Sequence, residues 1–464
     1  MTAGSIAGGQ LRTALLALVT LFGACACWGV EAQRAIVGPA DFAPVLPPAS
    51  EQTQVHVPAF RLDRAPVTNE QFLEFVRSHP VWRRDRVASL FADGEYLSHW
   101  TGPDQLGAGA LAHQPVTRVS WYAARSYCAA VGARLPTWNE WELASAADEK
   151  TLDARSSPTW RARILDWYSR PGSEALREVG LTPADVHGIH DLHGLIWEWV
   201  EDFNSLMVSG DSRTQGDPDK LAFCGSGALS AQDRENYPVL MRIAFLSSLE
   251  ARSTGRMLGF RCANAAEGAA PPVMEEGAVP QLTADGAVPQ VPSDSLYQMD
   301  VPLQSSDGAA LTLSSLRGKP LLITLFYDSC TSVCPMLTAQ LQNVERQLSP
   351  QTRHNLTFLM VSLDPDRDTP EALTSFRHRH HVEASNWIVT RTSAEHVRVL
   401  AAALGVRYRE LPDHSFNHST VITLADEDGV VRARSVGPQS VDTTFLRTLQ
   451  AIAGGRAASR RGGG

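Results

Sequence analysis

Hydrophobic and polar positions in the second half of the chain follow two different periods. Residues 321–327 (LLITLFY) form an unbroken run of apolar and β-branched side chains, which predicts a buried strand. Residues 338–348 (TAQLQNVERQL) repeat apolar positions with a helical period. Further along, the pattern predicts a strand at 356–363, a helix that begins near Pro370, and a strand at 419–425. Strands alternating with helices in this way predict an α/β domain with a central sheet.

The first half of the chain differs in composition and in hydrophobic periodicity. It is rich in Trp, Pro and Gly and shows few long helical patterns, which predicts an irregular α+β domain. Between the halves, the unit GAVPQ occurs at 277–281 and again at 286–290. A repeat this short cannot build a solenoid, so it indicates an extended, semi-rigid linker.

Length and composition agree with this division. A chain of 464 residues is expected to hold two globular domains plus tails. Hydrophobic residues make up 44% and the formal net charge is −9, which argues against a nucleic-acid partner. We therefore divide the chain into a leader at 1–32, an α+β domain at 33–265, a linker at 266–295, an α/β domain at 296–455 and a disordered tail at 456–464.

The first thirty residues have the pattern of an export signal. Arg12 is followed by an uncharged run at 13–30 that ends near small residues. Cleavage after Ala32 fits this pattern, and a retained membrane anchor is the alternative, because about 18 apolar residues can just span a bilayer. Both alternatives predict an exported protein that is periplasmic or is anchored facing the periplasm.

Cysteine usage points to a site in the second half. Cys330 and Cys334 directly follow the predicted strand 321–327, where a helix should begin. Their spacing places both sulfurs on one face of the first turn, and the helix N-terminus should lower the thiol pKa. Thiolates bind soft metals or exchange disulfides, while a structural disulfide is the ordinary alternative in an exported protein.

Three motifs in the second half carry a family resemblance. They are FYDSCTSVCP at 326–335, VSLDPDRDTPEAL at 361–373 and FNHSTVITLADEDG at 416–429. With them, residues from about 300 to 449 resemble the Sco/SenC family of copper proteins, which have a thioredoxin-like fold. The resemblance implies that Cys330, Cys334 and His418 bind copper. Two thiolates and an imidazole suit both copper oxidation states.

Two neighbouring features compete with this assignment. His414 is a second candidate ligand, but the motif places the ligand directly before the strand, which favours His418. The acidic loop at 364–368 could suggest a hard metal ion. By the family resemblance, this loop looks like a structural loop that caps the next helix. We therefore assign no metal to it.

Four segments of the first half carry a second resemblance. They are FRLDRAPVTNEQFLEF at 60–75, PVTRVSWYAARSYCAAVGARLPTWNEWELA at 115–144, HGIHDLHGLIWEWVEDF at 187–203 and GFRC at 259–262. In this order they make residues from about 56 to 263 similar to the formylglycine-generating enzyme, or sulfatase-modifying factor, family, whose domain is C-type-lectin-like. The resemblance implies a disulfide between Cys128 and Cys262.

The catalytic features of that family are incomplete here. Active members bind copper through a pair of cysteines after a Gly-Gly-Ser stretch, whereas the matching stretch at 223–242 has no cysteine after Cys224. Without two thiolates, copper oxidase chemistry is not expected. The family also has calcium sites around a Gly-Asn-Val-Trp-Glu-Trp segment. Leu195 stands at the Asn position, so calcium is left open.

The resemblance to the Sco/SenC family implies a copper metallochaperone that delivers copper to a respiratory enzyme, such as cytochrome c oxidase or nitrous oxide reductase. The first domain would then be a non-catalytic recognition module. Two enzyme alternatives remain open. One is a thiol–disulfide oxidoreductase that acts on the cysteines of a copper-site partner. The other is a nonheme metal oxidase in the first domain.

Overall fold

The computed structural model describes most of the chain in seven stretches. They are residues 34–46, 53–170, 175–206, 236–266, 291–330, 333–437 and 441–454. The predicted leader, the predicted tail, Cys224 and residues 267–290 of the predicted linker lie outside the described residues. Within the seven stretches, no helix is long and apolar enough to cross a membrane.

The first domain is built from short strands and short helices. Its strands are β1 (Arg34–Val37), β2 (Ala40–Phe42), β3 (Val55–Val57), β4 (Phe60–Asp63), β5 (Trp197–Glu198), β6 (Leu258–Gly259) and β7 (Ala263–Ala265). Its helices are α1 (Asn69–Ser78), α2 (Trp121–Ala130), α3 (Trp138–Ser145), α4 (Pro158–Ser169) and α5 (Tyr237–Ser247). Strand β4 lies between β1 and β7 in an antiparallel sheet, and β2–β3 and β5–β6 form separate pairs.

Side-chain caps explain where three of these helices begin. Thr68 before α1 and Thr137 before α3 each form a capping box, with Gln71 and Glu140 as the reciprocal partners. Ser120 accepts a backbone hydrogen bond at the start of α2. Each cap satisfies donors that the first turn leaves without an intrahelical partner, which stabilises helices too short to persist alone.

Aromatic side chains fill the core of the first domain. Fully buried members include Trp82, Trp121, Trp141, Trp199, Phe60, Phe72, Phe91 and Phe260. Cys128 on α2 and Cys262 beside β7 form a disulfide, the pair that the resemblance implied. The irregular α+β class predicted for the first domain is confirmed.

The second domain is organised around one mixed sheet. Its strands are β8 (Pro302–Ser305), β9 (Ala310–Thr312), β10 (Leu321–Phe326), β11 (Thr357–Ser362), β12 (Trp387–Arg391), β13 (Tyr408–Glu410), β14 (Phe416–His418), β15 (Val421–Ala425) and β16 (Val431–Val436). Its helices are α6 (Val333–Arg346), α7 (Pro350–His354), α8 (Pro370–Arg379), α9 (Ala394–Leu404) and α10 (Thr443–Gly454). The seven-stranded sheet has the order β16-β15-β10-β11-β12-β8-β9, and β10, β11 and β12 are parallel. Strands β13 and β14 form a hairpin outside this sheet.

The α/β class predicted for the second domain is confirmed. The strands predicted at 321–327 and 356–363 correspond to β10 and β11, in which every residue is buried. Burial on both faces explains why they read as continuous apolar runs. The helix predicted at 338–348 begins earlier, at Val333. Pro335 lies in its first turn, where a missing N–H removes no hydrogen bond of the helix.

Candidate metal centre

The topology of the sheet brings together three side chains that the sequence singled out. Cys330 follows the end of β10, and Cys334 lies in the first turn of α6. Strand β15 runs antiparallel to β10, so its start lies at the sheet edge where β10 ends. His418, at the end of β14, therefore reaches the same place.

The ligand atoms of these three residues form a compact group. The two sulfurs and an imidazole nitrogen all lie within 4.8 Å of one another, and Cys334 Sγ is 3.7 Å from His418 Nε2. Each side chain is at most 7% exposed. Across the part of the chain that the structure describes, this is the one group of three or more His, Cys, Asp or Glu residues that could hold a metal ion.

The start of α6 is built around one of the sulfurs. The backbone N–H of Cys334 donates to Cys330 Sγ at 3.3 Å, and the N–H of Cys330 donates to the carbonyl of Tyr327 at 3.3 Å. The sulfur thereby takes the place that a capping oxygen has in other helices. Cys330 and Cys334 are thiols here and are not joined in a disulfide.

The protonation of this pair differs from the sequence expectation. A hydrogen bond to Cys330, together with burial, raises the pKa of the Cys334 thiol well above its usual value. The prediction that the helix N-terminus would lower the thiol pKa is therefore wrong for Cys334. The hydrogen bond to the neighbouring sulfur and the burial of the thiol raise this pKa by more than the helix N-terminus lowers it. A metal ion bound by Cys334 must displace this proton.

The imidazole of His418 is oriented by its neighbours. Its Nδ1 lies 3.2 Å from the carbonyl oxygen of Ser419, so Nδ1 can carry the proton and leave Nε2 as the ligand. The Tyr327 ring packs edge-on against both Phe416 and His418. Its hydroxyl donates to the carbonyl of Phe416 at 3.1 Å. Tyr327 was not singled out from the sequence, although it lies inside the first motif.

The competing histidine lies on the surface. The side chain of His414 is 74% exposed and its Nδ1 is 2.8 Å from a carboxylate oxygen of Glu410. The structure does not bring it into the group formed by Cys330, Cys334 and His418.

The acidic loop has another role than the one expected. The side chain that caps α8 is Thr369, which accepts from the N–H of Ala372, so the prediction that the acidic residues supply this cap is wrong. Asp368 instead accepts hydrogen bonds from the N–H of Asp328 and from the hydroxyl of Ser362. It thereby ties together the chain segments that leave β10 and β11.

Within the described residues of the first domain, no group of acidic side chains forms a site for a calcium ion. The carboxylate in the segment where the family binds calcium belongs to Glu198, which pairs with Arg261 at 2.8 Å and accepts from Trp141 Nε1 at 2.9 Å. Both charged side chains are fully buried. Because this carboxylate is already paired with a guanidinium, the calcium site that the sequence left open is not supported.

Two family matches cover the two domains. The sulfatase-modifying factor enzyme 1-like domain matches residues 33–266, and SCO1/SenC matches residues 292–453. The chain belongs to the sulfatase-modifying factor family, whose match covers half of it, and its second domain matches SCO1/SenC. A C-type-lectin-like domain of the sulfatase-modifying factor family is thus followed by a thioredoxin-like SCO1/SenC domain.

Curated relatives resemble parts of the chain. The hercynine oxygenase of Mycobacterium tuberculosis is 35% identical over 162 residues, which cover 32% of this chain and 38% of that protein. The chain therefore spans about two fifths of the length of that relative. The formylglycine-generating enzyme of Streptomyces coelicolor is 29% identical over 272 residues, covering 47% of this chain and 83% of that enzyme. The inactive C-alpha-formylglycine-generating enzyme 2 of Mus musculus is 27% identical over 249 residues, covering 46% of this chain and 77% of that protein.

Solved structures similar to this chain include SCO1/SenC proteins. Copper-bound ScoI of Bradyrhizobium japonicum is 22% identical, with 33% of this chain and 96% of that chain covered and a TM-score of 0.29. A SCO1/SenC family lipoprotein of Bacillus anthracis is also 22% identical, with 33% of this chain and 92% of that chain covered and a TM-score of 0.30.

Proposed function

We propose that this protein is an exported copper carrier. In this proposal Cys330, Cys334 and His418 bind a copper ion as cargo, and the protein delivers it to a respiratory copper enzyme such as cytochrome c oxidase. The observation that carries the proposal is the buried group of two sulfurs and one imidazole nitrogen within 4.8 Å of one another. Soft thiolates select copper(I), and the added imidazole suits copper(II).

The position of the three ligands supports uptake and release. The two sulfurs belong to one short segment at the start of α6, whereas the imidazole belongs to the β13–β14 hairpin outside the central sheet. The imidazole and the two sulfurs are therefore held by separate parts of the fold. A ligand set divided in this way suits a protein that must hand its ion to a partner.

Copper analysis of single variants tests the proposal. The mature parent protein should bind one copper ion per chain, and Cys330→Ser and Cys334→Ser should each abolish tight binding of copper(I). His418→Ala should lose most of its affinity for copper(II). The matched control is His414→Ala, which removes an exposed histidine four residues away and should bind like the parent. If His418→Ala binds copper as the parent does, the ligand assignment is wrong.

A thiol–disulfide oxidoreductase is a second candidate. It is favoured by the two thiols lying side by side without a disulfide, with the Cys334 N–H directed at Cys330 Sγ. The same His418→Ala variant separates the two functions. Dithiol exchange with an oxidised peptide should persist in the variant if the protein is an oxidoreductase, since imidazole is not needed to form the mixed disulfide.

The sulfatase-modifying factor domain is proposed to serve as a recognition module. Its oxidase chemistry is not proposed, because the stretch at 223–242 supplies Cys224 without a second cysteine. An oxygen-consumption assay with copper and a cysteine-containing peptide checks this point, and we expect no turnover.

A further inference from the structure

The hairpin that carries His418 depends on contacts outside the central sheet. Among the strands of the described residues, β13 and β14 pair only with each other, and Tyr408 lies directly opposite His418 in their antiparallel register. At the base of the hairpin, Arg407 N–H donates to Ser419 Oγ at 2.9 Å and Ser419 N–H donates to the Arg407 carbonyl at 2.8 Å. A displacement of β13 must therefore move His418.

The chain that enters β13 is fastened to the first domain at two points. Asn204, only 9% exposed, donates from Nδ2 to the carbonyl of Val406 at 3.3 Å. Arg407 donates from Nη2 to the carbonyl of Ser247, the last residue of α5, at 2.5 Å. The 3₁₀ turn Phe203–Ser205 lies against β13. Two hydrogen bonds thus fix the chain segment immediately before Tyr408 to the first domain.

An ion-pair network of buried and half-buried side chains joins the same two surfaces. Glu201, 8% exposed, pairs with Arg125 of its own domain at 2.9 Å and with Arg398 on α9 at 3.4 Å. Arg125 reaches across to Glu395 at 3.4 Å. Burial acts to raise the pKa of Glu201, but the two guanidinium groups hold that pKa below its usual value. Breaking a buried pair by removing one partner is costly, so the network fixes α9 against the first domain.

Aromatic packing continues from β13 to the imidazole. Directly opposite residues of an antiparallel pair share one face of the hairpin, so Tyr408 and His418 lie on the same side. The ring centroids of Tyr408 and Phe416 are 6.3 Å apart, and those of Phe416 and Tyr327 are 5.3 Å apart. The Tyr327 ring in turn lies 5.7 Å from the imidazole. Contacts therefore run without interruption from the first domain to His418.

We propose that Glu201 and Asn204 of the sulfatase-modifying factor domain are positioning residues that set the distance and angle at which His418 faces the two sulfurs. This inference rests on the proposed copper-binding function. It gives the first domain a task that requires no catalytic cysteines: it controls how firmly the third ligand of the cargo ion is held.

Spectroscopy of the copper-loaded full chain tests this inference. Asn204→Ala and Glu201→Gln should still bind one copper ion, because neither cysteine lies on the hairpin. The copper(II) charge-transfer band and the electron paramagnetic resonance splitting should shift, and a chelator should remove copper roughly five- to tenfold faster than from the parent. Glu201→Gln keeps the size of the side chain and one acceptor oxygen for the guanidinium groups, so it separates loss of charge from loss of packing.

The matched control destabilises the first domain without touching the hairpin. Thr68→Ala removes the cap of α1 and should lower stability by a similar amount, with the copper spectrum and the removal rate unchanged. If Asn204→Ala and Glu201→Gln are folded by circular dichroism and behave like Thr68→Ala, the inference is overturned while the proposed function stands. A parent protein that binds no copper overturns both.

Discussion

The Nε2 atom of His418 lies 3.7 Å from the sulfur of Cys334, although the two residues are 84 positions apart in the chain. Bonds from a metal ion to imidazole and thiolate are roughly 2.0 and 2.3 Å long in zinc sites, and two such bonds that meet at about 120° span about 3.7 Å. The separation therefore matches the span of two ligands bound to one ion. One ion could contact both atoms without a rearrangement of the backbone.

Removing the hydroxyl of Tyr327 should weaken copper binding. Tyr327→Phe deletes the hydrogen bond to the carbonyl of Phe416, two residues before His418, at a cost of about 1 kcal/mol. We expect roughly three- to tenfold weaker binding of copper(II) in competition with a chelator. Tyr168→Phe, which deletes a similar bond to the carbonyl of Pro238 in the first domain, is the control and should leave copper binding unchanged. Equal copper affinities in the two variants would refute this prediction.

The stability of the first domain should depend on the charge of Glu142. This carboxyl is buried on α3, where Val45 N–H donates to it at 2.8 Å and Arg155 lies 3.4 Å away, and burial raises its pKa to about 7. Because the folded pKa lies above the unfolded value, the stabilisation by the protonated form is complete at acidic pH. It is lost as the pH rises through about 7.

Comparison with an uncharged variant isolates this effect. Glu142→Gln imitates the protonated acid, so it should be nearly as stable as the parent at pH 4.5 and more stable, by about 3 kcal/mol, at pH 8. Urea unfolding at the two pH values measures the difference in free energy of unfolding. The exposed Glu74→Gln is the control, and its difference from the parent should not change with pH. A pH-independent difference for Glu142→Gln would show that the carboxyl is already ionised at acidic pH.

Asp368 should contribute to stability and not to copper binding. Asp368→Ala leaves the N–H of Asp328 and the hydroxyl of Ser362 without their acceptor, which should cost about 1–3 kcal/mol. The thermal unfolding of the second domain should shift downward while copper per chain stays the same. The exposed neighbour Asp366→Ala is the control and should change neither quantity. Loss of copper from folded Asp368→Ala would make this residue part of the metal site.

The elements that could be predicted are those in which one physical effect dominates. Strands β10 and β11 are buried on both faces, so their sequences are apolar throughout. Cys330 and Cys334 could be found from their spacing next to a predicted strand. A lone histidine carries no such signal, and His418 could be singled out from His414 only through the flanking motif.

The features that were missed depend on residues far apart in the chain. Strand β13 has three residues, two of them the charged Arg409 and Glu410, and no hydrophobic period marks it. The pairing of Glu201 with Arg398 joins the two domains, and nothing in either local sequence distinguishes these charges from solvated ones. The raised pKa of Cys334 follows from burial and from a neighbouring sulfur, which local helix geometry does not include.

The central claim is that two sulfurs and one imidazole nitrogen bind copper together. Copper K-edge X-ray absorption of the copper(I)-loaded parent protein measures this coordination directly. We predict two sulfur neighbours and one nitrogen neighbour around the ion, with the nitrogen contribution lost in His418→Ala and retained in His414→Ala. A first shell that contains no sulfur, or one that is identical in the parent and in His418→Ala, would contradict the claim.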